Sequence, residues 1–152
     1  MNNHFLLLLP RFYLAMIFGI AVWPKLTAPV KFSAMLGGFL NRVALENGYD
    51  WYQAFVRGVV LPHLSTYASL VIAGELFVAI ALLFGVATRL AGAVAIVLLL
   101  NYLSAKGLPI WSPASNDAAD IVLALIVVAG AAGRVFGIDR MLAQRYPRAL
   151  IW

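Results

Sequence analysis

Glu75 is the residue whose type and surroundings most clearly point to chemistry. It interrupts an apolar run 12 residues after His63 and 10 before Gly85. At about 1.5 Å per residue, a helix places it roughly 15–18 Å from either end, close to the middle of a bilayer. A carboxyl group at that depth is costly, and by default it marks a functional candidate facing the interior of a helix bundle. A neighbour must answer it with a hydrogen bond or a cation. Glu75 then either serves a site or makes one interhelical hydrogen bond that holds the packing.

The other polar residues follow from Glu75. Asn101 lies 12 residues after Arg89. If the chain folds back near residue 87, Asn101 returns to the depth of Glu75 and its amide bonds the carboxyl, with Ser104 one turn further on. The alternative is a polar pair that only holds the hairpin. Tyr102 faces either this interior or the lipid. His63 either donates to a quinone carbonyl or shuttles protons, or it is simply solvated at an interface. Arg89 is either a cation for a headgroup or quinone, or a marker of the cytoplasmic face. Asp117 and Asp120 supply charge to a helix N-terminus, or they form an outer acidic pair near His63. There is no HExxH or paired-His metal pattern. The absence of Cys excludes thiol catalysis and iron–sulfur clusters or haem held through Cys by this chain.

These residues sit in a chain of 152 residues that is 64% hydrophobic and 11% charged, against about 45–50% and about 25% in soluble domains. A soluble protein of this size could not hide so much apolar surface. The length suits one domain. Four apolar runs are expected to cross the membrane, over about 5–25, 62–85, 88–106 and 117–136. In the first, Arg11 should snorkel toward the nearer surface and Pro24 should end the helix. The amino terminus lacks the basic start and cleavage site of a secretory signal, so the first run reads as retained.

Residues 28–60 mix charges with apolar residues at helical spacing: Phe32, Met35, Leu36 and Phe39, then Trp51, Tyr52 and Phe55. Two short amphipathic helices lying at the interface are expected there, separated by a turn at Asn47-Gly48. Residues 137–152 form a basic tail with a short helix that Pro147 ends. The net charge is +5. The basic residues are not gathered into a stripe with stacking aromatics, which argues against nucleic acid and for anionic lipid headgroups. Four spans put both termini on one side, with Arg11, Arg89, Arg134, Arg140, Arg145 and Arg148, against Lys25, Lys31, Arg42, Arg57 and Lys106 on the other. The four arginines from Arg134 onward assign the termini to the cytoplasm, and Trp23, Trp51, Tyr52 and Trp111 to an outer aromatic belt. His4 and His63 then lie on opposite sides and cannot share a haem.

Several of these residues also form a pattern. Gly74-Glu75-Leu76, Ala81-Leu82-Leu83-Phe84-Gly85 and Thr88-Arg89-Leu90-Ala91 resemble the DoxX family of small four-helix membrane proteins. So do Arg11 through Gly19 to Lys25, Gly130 through Gly133-Arg134, and Gly137-Ile138-Asp139 with Leu142. The resemblance implies an all-α integral membrane four-helix bundle, here with the interfacial helices between helices one and two. It places Glu75 and Arg89 at the family's Glu and Thr-Arg positions. Members are linked to thiosulfate:quinone oxidoreductase subunits and to membrane oxidoreductase complexes for thiol and oxidant stress.

The expected role is a membrane subunit of a quinone-linked oxidoreductase in a prokaryotic inner membrane. Glu75, Asn101, His63, Arg89 and Tyr102 would offer a quinone or lipid pocket, and a partner would hold the redox centre. One alternative is a non-catalytic assembly subunit that packs against a larger membrane complex and binds lipid; a homo-oligomer is also compatible. A proton-coupled transporter ranks third, because no inverted repeat is visible.

Overall fold

The computed structural model describes residues 3–28, 30–146 and 151. Pro147 and Arg148 of the basic tail lie outside the described residues, as does the side chain of His4. Helix α1 spans Leu8–Thr27. The cap holds α2 (Phe32–Phe39), α3 (Leu45–Asn47) and α4 (Asp50–Phe55). Helices α5 (Leu64–Phe84) and α6 (Thr88–Lys106) form the central hairpin. They are followed by α7 (Asp117–Gly130) and the short α8 (Asp139–Arg145). Three helical stretches are long and apolar enough to cross a membrane: Phe5–Thr27, Asp50–Phe84 and Thr88–Lys106. There are no strands among the described residues.

Helices α1, α5, α6 and α7 pack as a ring, each against two others. The core between them is rich in Ala, including Ala15, Ala79, Ala91, Ala95 and Ala124. In lipid, helices associate through close van der Waals packing rather than hydrophobic expulsion, so small residues belong at the contacts. A Cβ on Gly92 would lie 2.5 Å from Val128 and 3.3 Å from the Ala124 carbonyl. That glycine therefore sets the approach of α6 to α7. Large apolar side chains such as Leu9, Ile20, Leu83 and Val97 point outward instead, the inverse of a soluble protein.

Three expectations need correction. First, α1 runs through Pro24 and ends at Thr27. Proline forfeits one hydrogen bond there but has a φ that fits a helix, so the last turn survives and carries Lys25 on the helix. Second, the fourth helix stops at Gly130 rather than near residue 136. Ala131 adopts φ +46, and the chain then turns through a 3-10 segment at Ala132–Arg134. Third, the cap does part into two helical halves at Asn47-Gly48, as expected, but the second half is not separate from the hairpin. Its first half continues through a π-helical turn to Asn47. Its second half remains helical up to α5, with a bend at Leu61–His63. The rings of Phe55 and Tyr67 lie 6.1 Å apart, whereas 12 residues of straight helix would separate them by about 18 Å. The chain therefore bends there, and the cap packs on α5 and α6 around a second core of Leu40, Ala44, Tyr52, Val56 and Ala105.

The opposite end of the bundle is clamped. Asp139 is fully buried. Its carboxylate accepts the backbone N–H groups of Ala87 (2.6 Å) and Thr88 (2.9 Å) and the Thr88 hydroxyl (2.6 Å). It thus caps α6 from 51 residues away. The Thr88 hydroxyl in turn accepts the Gly133 N–H at 3.1 Å. Arg11 does not snorkel. Only 1% exposed, it donates to the carbonyls of Ala132 (3.1 Å), Val135 (2.7 Å) and Phe136 (3.3 Å). The Val135 and Phe136 carbonyls lie beyond the early end of α7 with no helical donor, while that of Ala132 also accepts the Val135 N–H at 3.2 Å. A Cβ on Gly133 would collide with the Asp139 carboxylate and with Thr88, so the clamp closes only over glycine.

Candidate functional site

Glu75 lies 11 residues into α5 and nine from its end, about 16 Å and 13 Å along the axis. Its side chain is fully buried. The neighbours that answer it are Lys25 and Tyr102. The Lys25 ammonium from α1 hydrogen-bonds both carboxylate oxygens. The Tyr102 hydroxyl from α6 donates to Oε1 at 2.6 Å. The same ammonium lies 5.1 Å from the Phe32 ring centre and 5.8 Å from that of Tyr102, in reach of both ring faces. Gly74 lets α6 come close beside this cluster: a Cβ there would sit 3.3 Å from Leu98.

The depth match depends on unequal helix ends. Helix α1 runs only two residues past Lys25, whereas α5 continues 11 residues beyond Glu75 toward the cap. A residue at the end of its own helix thereby meets the middle of its neighbour. Lys25 escaped the sequence reading because it closes an apolar run, where lysines usually mark an interface. The signal that could have found it is the unpaired acid itself, since one acid at mid-bilayer calls for one cation nearby.

Asn101 does not bond Glu75. Its Oδ1 accepts the Tyr52 hydroxyl at 2.8 Å, and Tyr102, one position on, takes the carboxylate. Adjacent helical residues point about 100° apart, and depth alone does not choose between them. Tyr52 does not join the outer aromatic belt; it is 4% exposed and turned inward. Trp23, Trp51 and Trp111 remain exposed at the cap end. Ser104 donates to the Leu100 carbonyl of its own helix at 2.8 Å and takes no part in the cluster.

The two polar groups, Lys25–Glu75–Tyr102 and Tyr52–Asn101, face one cavity of ≈ 420 Å³. Its other walls are mostly apolar, with Phe32, Leu36, Phe39 and Val71. A second cavity of ≈ 240 Å³ shares Tyr52, Asn101 and Val71 with it and continues past Tyr67 to Leu70 and Val97. On the other side of Lys25 and Phe32 lies a polar chamber of ≈ 340 Å³ with Lys31, Ser33, Ser65 and Ser69 in its wall. Lys25 therefore stands between a polar space and an apolar one.

The remaining candidates lie elsewhere. His63 is exposed at the bend before α5 and lines none of these cavities. Arg89 opens α6 at the clamp end, in a shallow groove with Leu90, Ala93 and Val128. Asp117 and Asp120 are both buried but separate in their contacts. Asp117 pairs with Lys106 at 2.7 Å, and Lys106 also lines the central cavity. Asp120 is approached by Tyr13 of α1. The side-chain cap of α7 comes from Ser115, whose hydroxyl accepts the Asp117 N–H at 3.3 Å, and not from Asn116. Among the described residues, no three His, Asp or Glu side chains gather as a metal centre requires.

Comparison with known proteins gives one family. The DoxX family model matches residues 6–107, more than half of the chain and inclusive of Lys25, Glu75, Asn101 and Tyr102. No curated protein and no solved structure matches the chain.

Proposed function

We propose, from the premise that the chain belongs to the DoxX family, that it is a membrane subunit of a quinone-linked oxidoreductase complex. In this reading the central cavity takes the quinone head. The supporting observation is the Lys25–Glu75–Tyr102 cluster, buried on the wall of a largely apolar cavity of ≈ 420 Å³. Ligand pockets combine apolar walls with a few convergent polar groups in this way. The quinone would carry electrons to or from a redox centre on a partner subunit.

The chain's own residues would bind the ligand and handle protons. Lys25 and Glu75 neutralise one another, so the cavity presents no net charge to a neutral ring. The Lys25 ammonium and the Asn101 amide are donors for carbonyl oxygens. The Tyr102 hydroxyl, already held against Glu75, is positioned to pass a proton along that hydrogen bond. The polar chamber beyond Lys25 gives the pair a route to water. The setting that fits this role is a prokaryotic inner membrane with both termini cytoplasmic, lipid around the bundle, and a larger complex or a second copy as partner.

The test is purification in mild detergent, followed by organic extraction and mass spectrometry of bound quinones. The expected result is quinone at near-stoichiometric amounts in the wild type and its loss in Glu75→Gln and Tyr102→Phe. Wild-type protein free of quinone, or equal retention by Glu75→Gln, overturns the proposal. Copurification of a large complex without quinone would then favour the assembly-subunit reading.

A further inference from the structure

The central cavity adjoins the second cavity across Leu36, Leu40, Tyr52, Val71 and Asn101, which line both, and Phe55, Val60 and Tyr67 make the sides of the second. At the far rim stand Leu70 of α5 and Val97 of α6, exposed by 60% and 66%. They lie on the outer, apolar face of helices that are suited to cross a membrane. Side by side, the two cavities span from a buried polar cluster to the surface that lipid tails would cover. The polar chamber lies on the other side of Lys25 and shares no wall residue with this rim.

We infer that the two cavities join into one passage, a site for a single-chain amphiphile with a neutral carbonyl-bearing head, which enters sideways from the bilayer between α5 and α6. The head reaches Lys25, Glu75 and Tyr102, and the tail trails out over Leu70 and Val97. The ligand class follows from the chemistry along the route. An anionic head gains little, because Glu75 already neutralises Lys25. A carbonyl oxygen finds a donor in the Asn101 amide: Oδ1 accepts from Tyr52, leaving the NH₂ uncommitted among the described residues. The second cavity, at ≈ 240 Å³, offers room for one linear chain rather than the two chains of a phospholipid. The inference rests on the head-group reading above and adds the tail, its path and the direction of access.

The test compares two probes on the full chain in phosphatidylcholine nanodiscs: decylubiquinone, and the same ring without its tail. Leu70→Trp/Val97→Trp narrows the rim from the lipid side, where a larger side chain leaves the core untouched. Leu125→Trp, at another outward-facing position on α7, is the control. The expected result is a drop of about tenfold in affinity for the tailed probe only, the scale of overfilling a packed passage. The control should change neither probe. A decyl quinone with a diazirine at its chain end should crosslink near Leu70 or Val97.

If both quinones bind and neither is affected by the rim substitutions, the lateral passage is refuted and the head reading stands. If dodecanol competes as well as decylubiquinone and is blocked at the rim, the passage stands and the quinone head is refuted. Failure of the wild type to bind either quinone or dodecanol removes both.

Discussion

Removing the charge at Lys25 tests the site most directly. Glu75 is 1% exposed at its side chain and Lys25 19%, so the two partners stand unequally. Lys25→Met leaves a buried carboxylate with only the Tyr102 hydroxyl, and breaking a buried pair in this way costs about 3–5 kcal/mol. Glu75→Gln leaves an ammonium that still borders the polar chamber, so its loss should be smaller, about 1–2 kcal/mol. The double variant Lys25→Met/Glu75→Gln restores a neutral pair of similar volume and should lie within about 1 kcal/mol of wild type, as such replacements usually do. The singles therefore overshoot the double, with a coupling of at least about 2 kcal/mol. Reversible unfolding by SDS titration in mixed micelles, followed by circular dichroism, measures all four corners of the cycle. Additivity within about 0.5 kcal/mol would refute the claim that this ion pair is the answer to the buried acid. Quinone retention should fail in the double variant even though its stability returns, which separates the role in binding from the role in folding.

Other outcomes follow from the same geometry. Asp139→Ala removes three short hydrogen bonds at the α6 N-terminus and the acid nearest Arg11, and should destabilise the fold by about 3 kcal/mol or more in the same titration. Thr88→Val keeps the backbone contacts and should lose only about 1 kcal/mol. Ala131 holds φ +46 after α7, so Ala131→Gly should raise stability by about 0.5–1 kcal/mol, the cost of a left-handed non-glycine residue less the added freedom of the unfolded chain. Gly92→Leu should force α6 away from α7. Its loss of thermal stability should exceed that of the same change at Gly19, where a Cβ meets nothing within 4 Å.

The elements legible beforehand were those decided by local rules. The central hairpin matched its apolar runs closely, because Gly85 and Gly107 take positive φ at the ends of α5 and α6 and a single short turn joins the two. The place of Glu75 midway along its helix followed from its spacing to the turn residues alone. The cap was harder. Its apolar spacing was read correctly as helical, but a period cannot tell a helix lying on the interface from one that bends at His63 and buries Tyr52. Arg11 misled for a related reason: composition suggests that an arginine near a helix end reaches for water, yet the carbonyls beyond the early end of α7 were the stronger partners.

Composition and spacing by themselves determined that this chain belongs in a membrane, that one acid lies midway along a helix of its central hairpin, and where that hairpin turns. Only the tertiary structure decided that Lys25 rather than Asn101 meets that acid, that Tyr102 joins it, and that Asp139 caps a helix 51 residues away. The physical reason is that propensity, hydropathy and rise act along the chain. The partner of a buried charge depends instead on where two different helices begin and end relative to each other, and packing sets that offset.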